Sequence, residues 1–342
     1  MSAEPLSPRD PESAGTSIPR AVFVPGMPPK TQMNWFLLAL RGIPFILLHL
    51  FALFCIWTPL TTTAIVLFVG LFALRTFCLT AGYHRYFAHR AYSTSRAFQF
   101  FLAFFGACAV QKGPLWWAGH HRSHHRYSDT PADPHSPHET SFWWSHVGWI
   151  LSNEYTDTPY DDIKDFSRFP ELRWIDTYHW VPPALLAGAC YLLDGMSGLV
   201  WGFLMSTLLL YHTTFSVNSL NHLFGSRRFA TPDDSRNNFW IALLTFGEGW
   251  HNNHHHYQSS ANQGFYWWEI DISYSILVVL SWLGIVWDLR RPGERALAYR
   301  RIQPARADAP PPSTVDQMAA AAAGKSDGEK PLDDRPTSTV PQ

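Results

Sequence analysis

Clustered histidines are the residues of this sequence that are best suited to chemistry. Seventeen histidines occur among 342 residues, and imidazole, which is neutral near pH 7, binds iron, zinc and copper. The clustered ones form an H-x₄-H pair and two H-x₂-H-H triplets, which are His84 and His89, then His121, His124 and His125, then His251, His254 and His255. These imidazoles outnumber the four ligands of a tetrahedral zinc ion. The sequence therefore predicts a site for two metal ions.

The spacing within each triplet suits an α-helix. Positions i, i+3 and i+4 share one helix face, so we expect each triplet to direct its three rings to a common point. Cysteine offers no alternative ligand set, because the four cysteines lack the spacing of a thiolate metal site or a disulfide framework. Histidine is therefore the predicted metal ligand.

Apolar stretches between the histidine clusters predict transmembrane helices. A bilayer core needs about 20 helical residues, or somewhat fewer with snorkelling flanks. Very short turns, Thr58-Pro59 and Asp194-Gly195, join the stretches in pairs, which indicates two helical hairpins. The four predicted spans are residues 35–57, 60–83, 178–193 and 196–217.

The distribution of basic residues predicts the orientation of these spans. The short turns carry no Lys or Arg, whereas the other side carries many, so the positive-inside rule places both termini in the cytoplasm. All three histidine clusters then lie on one membrane face. Residues 97–110 and 270–287 are expected to be helices at the interface. A fifth span at 270–287 is the alternative, and it would place the C-terminus outside.

The predicted fold class is an all-α integral membrane protein with four transmembrane helices in two hairpins. A cytoplasmic helical cap, residues 84–177 and 218–302, holds the histidine-rich site within a membrane domain of residues 31–302. Residues 1–30 and 303–342 are rich in Pro, Ala, Ser and charge and are predicted to be disordered tails. The net charge of −1 argues against a nucleic-acid partner.

Several phrases around the histidines resemble the membrane fatty acyl desaturases, and closely the stearoyl-CoA (Δ9) type. The similarity covers roughly residues 35–290, and the pair Gly113-Pro114 resembles bacterial members. The phrases are TAGYHR at 80–85, HRSHH at 121–125, ADPH at 132–135, SHVGW at 145–149, VNSLNHLFG at 217–225 and GEGWHNNHH at 247–255.

This resemblance implies a di-iron site in which two iron ions and O₂, as co-substrate, desaturate a long acyl chain. It adds His222 as a ninth ligand and implies that Asn218 holds an iron-bound water. The implied ligands are His84, His89, His121, His124, His125, His222, His251, His254 and His255. Such chemistry is reasonable, because an alkyl C–H bond yields its hydrogen only to a strong oxidant.

Other residues are expected to support the metal ions and the substrate. Asp129, Asp133 and Glu248 are candidates to bond the outer ring nitrogens of the ligands, with capping or surface charge as the alternative. The resemblance implies Gln111, Trp117 and Thr214 at the bend of an apolar substrate tunnel. Phe72 and Thr76, one helical turn apart, are expected to set the tunnel depth, with plain packing as the alternative. His49, His179 and His212 are assigned to packing or the interface. Hydrogen bonding near the site is expected for His120, His135, His138, His146 and His256.

The sequence is compatible with several acyl carriers and electron donors. Animal acyl-CoA enzymes carry an Arg-Asp pair where this chain has Gly119-His120, and the acidic run at 153–162 is a poor phosphate cradle. The substrate is therefore a CoA, carrier-protein or lipid ester. Since the sequence contains no haem, ferredoxin or flavin motif, we expect a separate ferredoxin or cytochrome b5 type donor with its reductase.

Two rival functions use the same ligands. A membrane di-iron hydroxylase would abstract hydrogen in the same way and then insert oxygen into the substrate. A membrane metal transporter or storage protein would place its ligands near the bilayer midplane along a path, whereas these clusters lie beyond the predicted span ends. The favoured location is the bacterial inner membrane, with several passes through the lipid.

Overall fold

The computed structural model describes residues 35–302, so the tails predicted to be disordered, 1–30 and 303–342, lie outside the described residues. The regular structure of the described residues is helical apart from one short pair of strands, and loops connect the elements. The α-helices are α1 (Trp35–Ala52), α2 (Thr62–Phe77), α3 (Arg96–Ala107), α4 (Pro114–Tyr127), α5 (Trp149–Leu151), α6 (Lys164–Ser167), α7 (Pro170–Thr177), α8 (Val181–Ser197), α9 (Ser206–Leu223), α10 (Phe239–Leu244), α11 (His251–His256), α12 (Ile272–Trp282) and α13 (Glu294–Ala298).

Several helices continue in tighter or wider helical geometry. Segments of 3₁₀-helix are Leu53–Ile56 and Tyr160–Asp162, and segments of π-helix are Cys78–Ala88, Trp144–Gly148 and Gly198–Met205. The antiparallel strands β1 (Ser93–Thr94) and β2 (Val286–Trp287) pair Ser93 with Trp287. Because β1 precedes α3 and β2 follows α12, this pair ties the two ends of the cap together.

Two helices among the described residues are long and apolar enough to cross a bilayer, residues 62–88 and 181–223. The second run of 43 residues contains non-helical backbone at Asp194 and at Gly195, whose φ of 54° favours glycine. It therefore consists of two helices that meet at the predicted turn. The apolar helix at 42–56 is shorter, so the four-span arrangement stays a prediction.

The two predicted hairpins meet at their turns. The hydroxyl of Thr61 donates a hydrogen bond to the carboxylate of Asp194, and the indole of Trp201 donates to the carbonyl oxygen of Thr58 at 3.2 Å. Thr61 also caps α2 by accepting from the backbone N–H of Ala64 at 3.0 Å. Both turns therefore lie at the same end of the helix bundle, opposite the cap.

The helices α3 and α12 lie where interfacial helices are predicted. They contain 12 and 11 residues, and each begins at a side-chain cap, Ser95 for α3 and Asp271 for α12. Neither reaches the length of about 20 residues that a span requires. The alternative of a fifth span at 270–287 is therefore not supported.

Candidate metal centre

A π-helix brings His84 and His89 together. Five residues of an α-helix turn by about 500°, so the two side chains would point about 140° apart. The segment Cys78–Ala88 is instead π-helical, and the backbone N–H of His89 bonds the carbonyl oxygen of His84 at 3.1 Å. The two rings consequently lie 4.8 Å apart between centroids. The H-x₄-H spacing therefore serves one metal group through this wider helix.

Nine histidines, all those predicted as ligands, form two adjacent groups. In each group the ring nitrogens that could bind a metal lie within 4.8 Å of one another. The five-histidine group contains His84, His89, His121, His125 and His254. The four-histidine group contains His124, His222, His251 and His255.

Within the five-histidine group, the Nε2 atoms form a chain of close contacts. The separations are 3.0 Å for His84–His254, 2.9 Å for His254–His125, 2.9 Å for His125–His121 and 3.0 Å for His121–His89. A ring nitrogen carries either one proton or one lone pair, so the three central nitrogens cannot hydrogen-bond both neighbours. Two ligands at right angles around a metal, each at about 2.1 Å, lie about 3.0 Å apart. The spacing therefore fits imidazoles arranged around a metal ion.

The four-histidine group shows the same fit. The Nε2 atoms of His222 and His251 lie 3.0 Å apart. The Nε2 atoms of His124 and His255 are buried and have no hydrogen-bond partner among residues 35–302, although a carboxylate bonds the other nitrogen of each ring. A buried nitrogen without a partner is costly. A metal ion would satisfy both of these lone pairs.

The prediction that each triplet points its three rings to one place is wrong. His121 and His125 belong to the five-histidine group, whereas His124 belongs to the other. Likewise His254 is separated from His251 and His255. Positions i and i+4 differ by about 40° around a helix, whereas i+3 lies about 60° to the other side. Each triplet therefore serves both groups, and α4 and α11 bridge them.

Four carboxylates of the described residues bond the outer ring nitrogens of the ligands. The three expected ones do so: Glu248 contacts Nδ1 of His84, Asp133 contacts Nδ1 of His124 at 3.0 Å, and Asp129 contacts Nδ1 of His222 at 2.7 Å. The fourth is Asp233, which accepts from Nδ1 of His255 at 2.9 Å. No sequence motif predicts this role for Asp233, which lies in a bend of the loop after α9. Such bonds fix the tautomer that leaves Nε2 available to a metal.

Burial keeps most of these imidazoles neutral. Desolvation, reinforced by neighbouring histidines, lowers the pKa of five ligands well below the usual value, namely His89, His121, His125, His251 and His254. At His124, burial lowers the pKa, but the carboxylate of Asp133, together with Asp129 and Asp233, more than offsets this effect and raises the pKa. Neutral imidazole is the form that binds metal, so the buried groups are set up as ligands.

A narrow cavity of about 40 Å³ reaches the five-histidine group. His121 lines it together with Asn218 and the three residues expected at the tunnel bend, Gln111, Trp117 and Thr214. The Gln111 side-chain amide donates to the Thr214 hydroxyl at 2.7 Å. The structure thus brings these five residues together.

A larger cavity of about 590 Å³ adjoins the narrow one. Both are lined by Gln111, Ile150 and Phe215, and the larger one extends between α1 and α8. Phe72 and Thr76 line neither cavity. Phe72 packs on Phe246, and Thr76 is fully buried. Their role in tunnel depth stays a prediction that this arrangement does not support.

The other histidines lie outside the two groups. His146 bonds the Ser219 hydroxyl at 3.0 Å and His212 at 3.1 Å, and His212 contacts His49 at 3.0 Å. His135 stacks on His124 with centroids 4.2 Å apart. Backbone carbonyls bond the rings of His120, His138 and His256. Of the five expected near the site, two contact ligand residues: His135 stacks on the ring of His124, and His138 bonds the backbone carbonyl oxygen of His222 at 3.0 Å.

A family model and the similar known proteins both point to desaturases. The sequence model of the family described as "Fatty acid desaturase" matches residues 57–277. The sn-1 stearoyl-lipid 9-desaturase of Anabaena variabilis is 36% identical over 271 residues, which cover 76% of this chain and 95% of that protein.

The names of two further relatives refer to other acyl carriers. The hex-5-enoyl-[acyl-carrier protein] acetylenase of Moorena producens (strain JHB) is 35% identical over 266 residues, or 72% of this chain and 83% of that protein. The acyl-CoA C20 Delta5-desaturase of Anemone leveillei is 36% identical over 230 residues, or 65% and 73%. The family match spans more than half of the 342 residues. This chain therefore belongs to the fatty acid desaturase family, whose histidine clusters it carries.

Proposed function

We propose that this fatty acid desaturase inserts a double bond at the Δ9 position of a long-chain saturated acyl group, with two iron ions and O₂. The observation that carries the proposal is the meeting of nine imidazoles in two groups beside a narrow cavity. A relative named as a stearoyl-lipid 9-desaturase supports the Δ9 position.

Bound iron, supplied with O₂ and two electrons, would provide the oxidant that removes hydrogen from two adjacent methylenes. The protein's own residues position the acyl chain. Trp117 stacks on His121 with centroids 4.8 Å apart, and this indole would form one wall beside the reacting carbons. Gln111 and Thr214, which are hydrogen-bonded to each other, both line the narrow cavity and would fix where the chain bends. Holding one methylene pair at the metal is a contribution of orientation.

The acyl group is proposed to arrive on a membrane lipid. The larger cavity lies between α1 and α8, and Pro44, Ala184 and Trp180 on its lining are exposed on the outer surface of these helices. Lys112 and His179 are the basic side chains among its lining residues, and only the lysine carries a fixed positive charge near pH 7. That is a small set for the several phosphates of CoA. A lipid chain could enter sideways from the bilayer. Coenzyme A and carrier-protein esters are the competing carriers.

A four-span arrangement in the bacterial inner membrane, with both termini in the cytoplasm, is part of the proposal. Its support is that the turns at Thr61 and Asp194 bond each other, whereas every ligand lies toward the opposite end of the paired helices. Electrons would come from a separate ferredoxin or cytochrome b5 type protein that docks on the cap.

Expression in a bacterium with a defined saturated fatty-acid pool tests this function. We expect a monounsaturated Δ9 product in the phospholipids, identified by mass spectrometry after derivatisation of the double bond. His254→Ala should abolish it, whereas the matched control His256→Ala, on the same helix but outside both groups, should keep it. A product that gains an oxygen atom would indicate a hydroxylase instead. No modified acyl chain with any fed length would refute the proposal.

A further inference from the structure

The two histidine groups differ in their access to solvent. In the four-histidine group every residue is buried, whereas His89, His121 and His125 of the five-histidine group are only partly buried. A surface cavity of about 330 Å³ reaches this group directly. His89 and His125 form part of its lining, and its other residues are Ala88, Arg122, Arg126, Gln258 and Ser259. A path from solvent therefore leads to one group.

The groups also differ in the negative charge around them. Three of the four ligands in the buried group bond an aspartate: His124 with Asp133, His222 with Asp129, and His255 with Asp233. In the five-histidine group, one carboxylate of the described residues contacts an outer ring nitrogen: Glu248 contacts Nδ1 of His84. Unlike the three aspartates, Glu248 is shared with a buried cation.

That cation is Arg85, which is fully buried. Its guanidinium contacts Glu248 at 3.1 Å and Asp271 at 2.9 Å. The charge of Glu248 is thus partly offset by an arginine. The formal charge next to the ligands is consequently more negative at the four-histidine group.

These differences have a physical consequence for a bound cation. A buried positive ion is stabilised by nearby negative charge, and a carboxylate on the outer nitrogen makes an imidazole a stronger ligand. The fifth imidazole of the other group adds one bond but no charge. The difference in solvent access also weakens retention at the five-histidine group, because an ion reached by solvent can leave without local unfolding.

We propose, on the basis of the two-iron site inferred above, that the two metal sites are unequal. The four-histidine group retains its ion, and the five-histidine group exchanges its ion through the surface opening at His89 and His125. A loaded protein would thus lose one ion first and hold a stable one-ion state.

The test is iron release from the purified, ⁵⁷Fe-loaded protein in detergent, without O₂, to an excess of the ferrous chelator ferrozine. We expect two kinetic phases of equal amplitude in the absorbance of the chelate. Mössbauer spectra before and after the fast phase should show the loss of one of two iron signals. One phase that releases both ions together would overturn the inference. A protein that binds no iron would instead refute the proposed function.

Variants assign the phases to the groups. Asp233→Asn should speed the slow phase by about 10–100-fold, and Glu248→Gln should speed the fast phase alone. Asp161→Asn, at a side chain that is 95% exposed, is the control and should leave both rates unchanged. If Asp233→Asn instead accelerated the fast phase and left the slow phase unchanged, the assignment of the phases to the groups would be wrong.

A steric variant does not depend on the ligands. Gln258 lines the opening and is exposed, so Gln258→Trp should narrow it. We expect this change to slow the fast phase several-fold and to leave the slow phase and the total iron content as they are. An unchanged fast phase would show that the ion does not leave through this opening.

Discussion

The Nε2 atoms of His84 and His254 lie 3.0 Å apart, although 170 positions separate these residues in the chain. His84 lies in the π-helix that continues α2, and His254 lies in α11. Their contact depends on the packing of the whole cap. Substitutions that move α11 should therefore disturb the metal groups as strongly as loss of a ligand.

Gly249 allows α11 to pack closely. A Cβ atom at this position would collide with the backbone of Ala242 and Asn238. Gly249→Ala should therefore lower the free energy of unfolding by about 1–3 kcal/mol or more and reduce the iron content. The control is Gly188→Ala, where a Cβ atom meets nothing within 4 Å. Thermal unfolding and elemental analysis measure both effects, and equal behaviour of the two variants would refute this account.

Asp129 is expected to support metal binding through its charge. It accepts from Nδ1 of His222 at 2.7 Å and from the backbone N–H of Asp234 at 2.8 Å. Asp129→Asn keeps the shape and an acceptor but removes the charge, so metal affinity and activity should fall by about 10–100-fold. Titration with Fe²⁺ and product analysis measure these losses. Full affinity in the variant would mean that the bond serves folding alone.

Ile150 lies where the two cavities adjoin, because it lines both. Ile150→Trp should block the acyl chain and lower kcat/KM by about 100-fold, since a misplaced methylene cannot react. Iron content should stay normal. Ile150→Val, which leaves the passage open, is the control and should keep most of the activity. Equal activity in the two variants would place the acyl path elsewhere.

The stability of the protein should depend on the protonation of His146. Burial, reinforced by His212, lowers the pKa of His146 to about 4. In the unfolded chain histidine titrates near 6.5, so the unfolded state takes up a proton first as the pH falls. Stability from this group is therefore present above about pH 6.5 and is lost as the pH falls toward 4, by at most about 3 kcal/mol.

His146→Asn removes the titrating ring and should reduce that loss. Unfolding temperatures of the wild type and the variant between pH 7.5 and 4.5 give the comparison, with intrinsic fluorescence as the signal. We expect the two curves to converge at low pH. Parallel curves would show that His146 does not contribute to the pH dependence.

Much of the site was predictable, because its chemistry depends on residue types at short spacings. Nine histidines meet as expected, and so do Gln111, Trp117 and Thr214. Three of the four carboxylates were also foreseen. Asp233 was not, because only the return of the 225–237 loop brings it to His255, and a single sequence carries no signal for that contact.

The spacing of the histidines in the sequence could not predict how the ligands divide into two groups. Positions i, i+3 and i+4 share one helix face, but this face meets two metal groups, since His124 and His125 belong to different ones. The π-helix at Cys78–Ala88 was equally hidden, since no residue pattern in it distinguishes a π-helix from an α-helix. Both features are set by the packing of α2, α4 and α11 around the ligands.

The dispersal of ligands along the chain also sets the order of events during biogenesis. The five-histidine group needs His254, and the four-histidine group needs His251 and His255. A ribosome that has synthesised only the first two hundred or so positions has thus made neither complete set. Under the proposed function, iron insertion would therefore be a late step of maturation, since it requires that residues 251–255 have been synthesised.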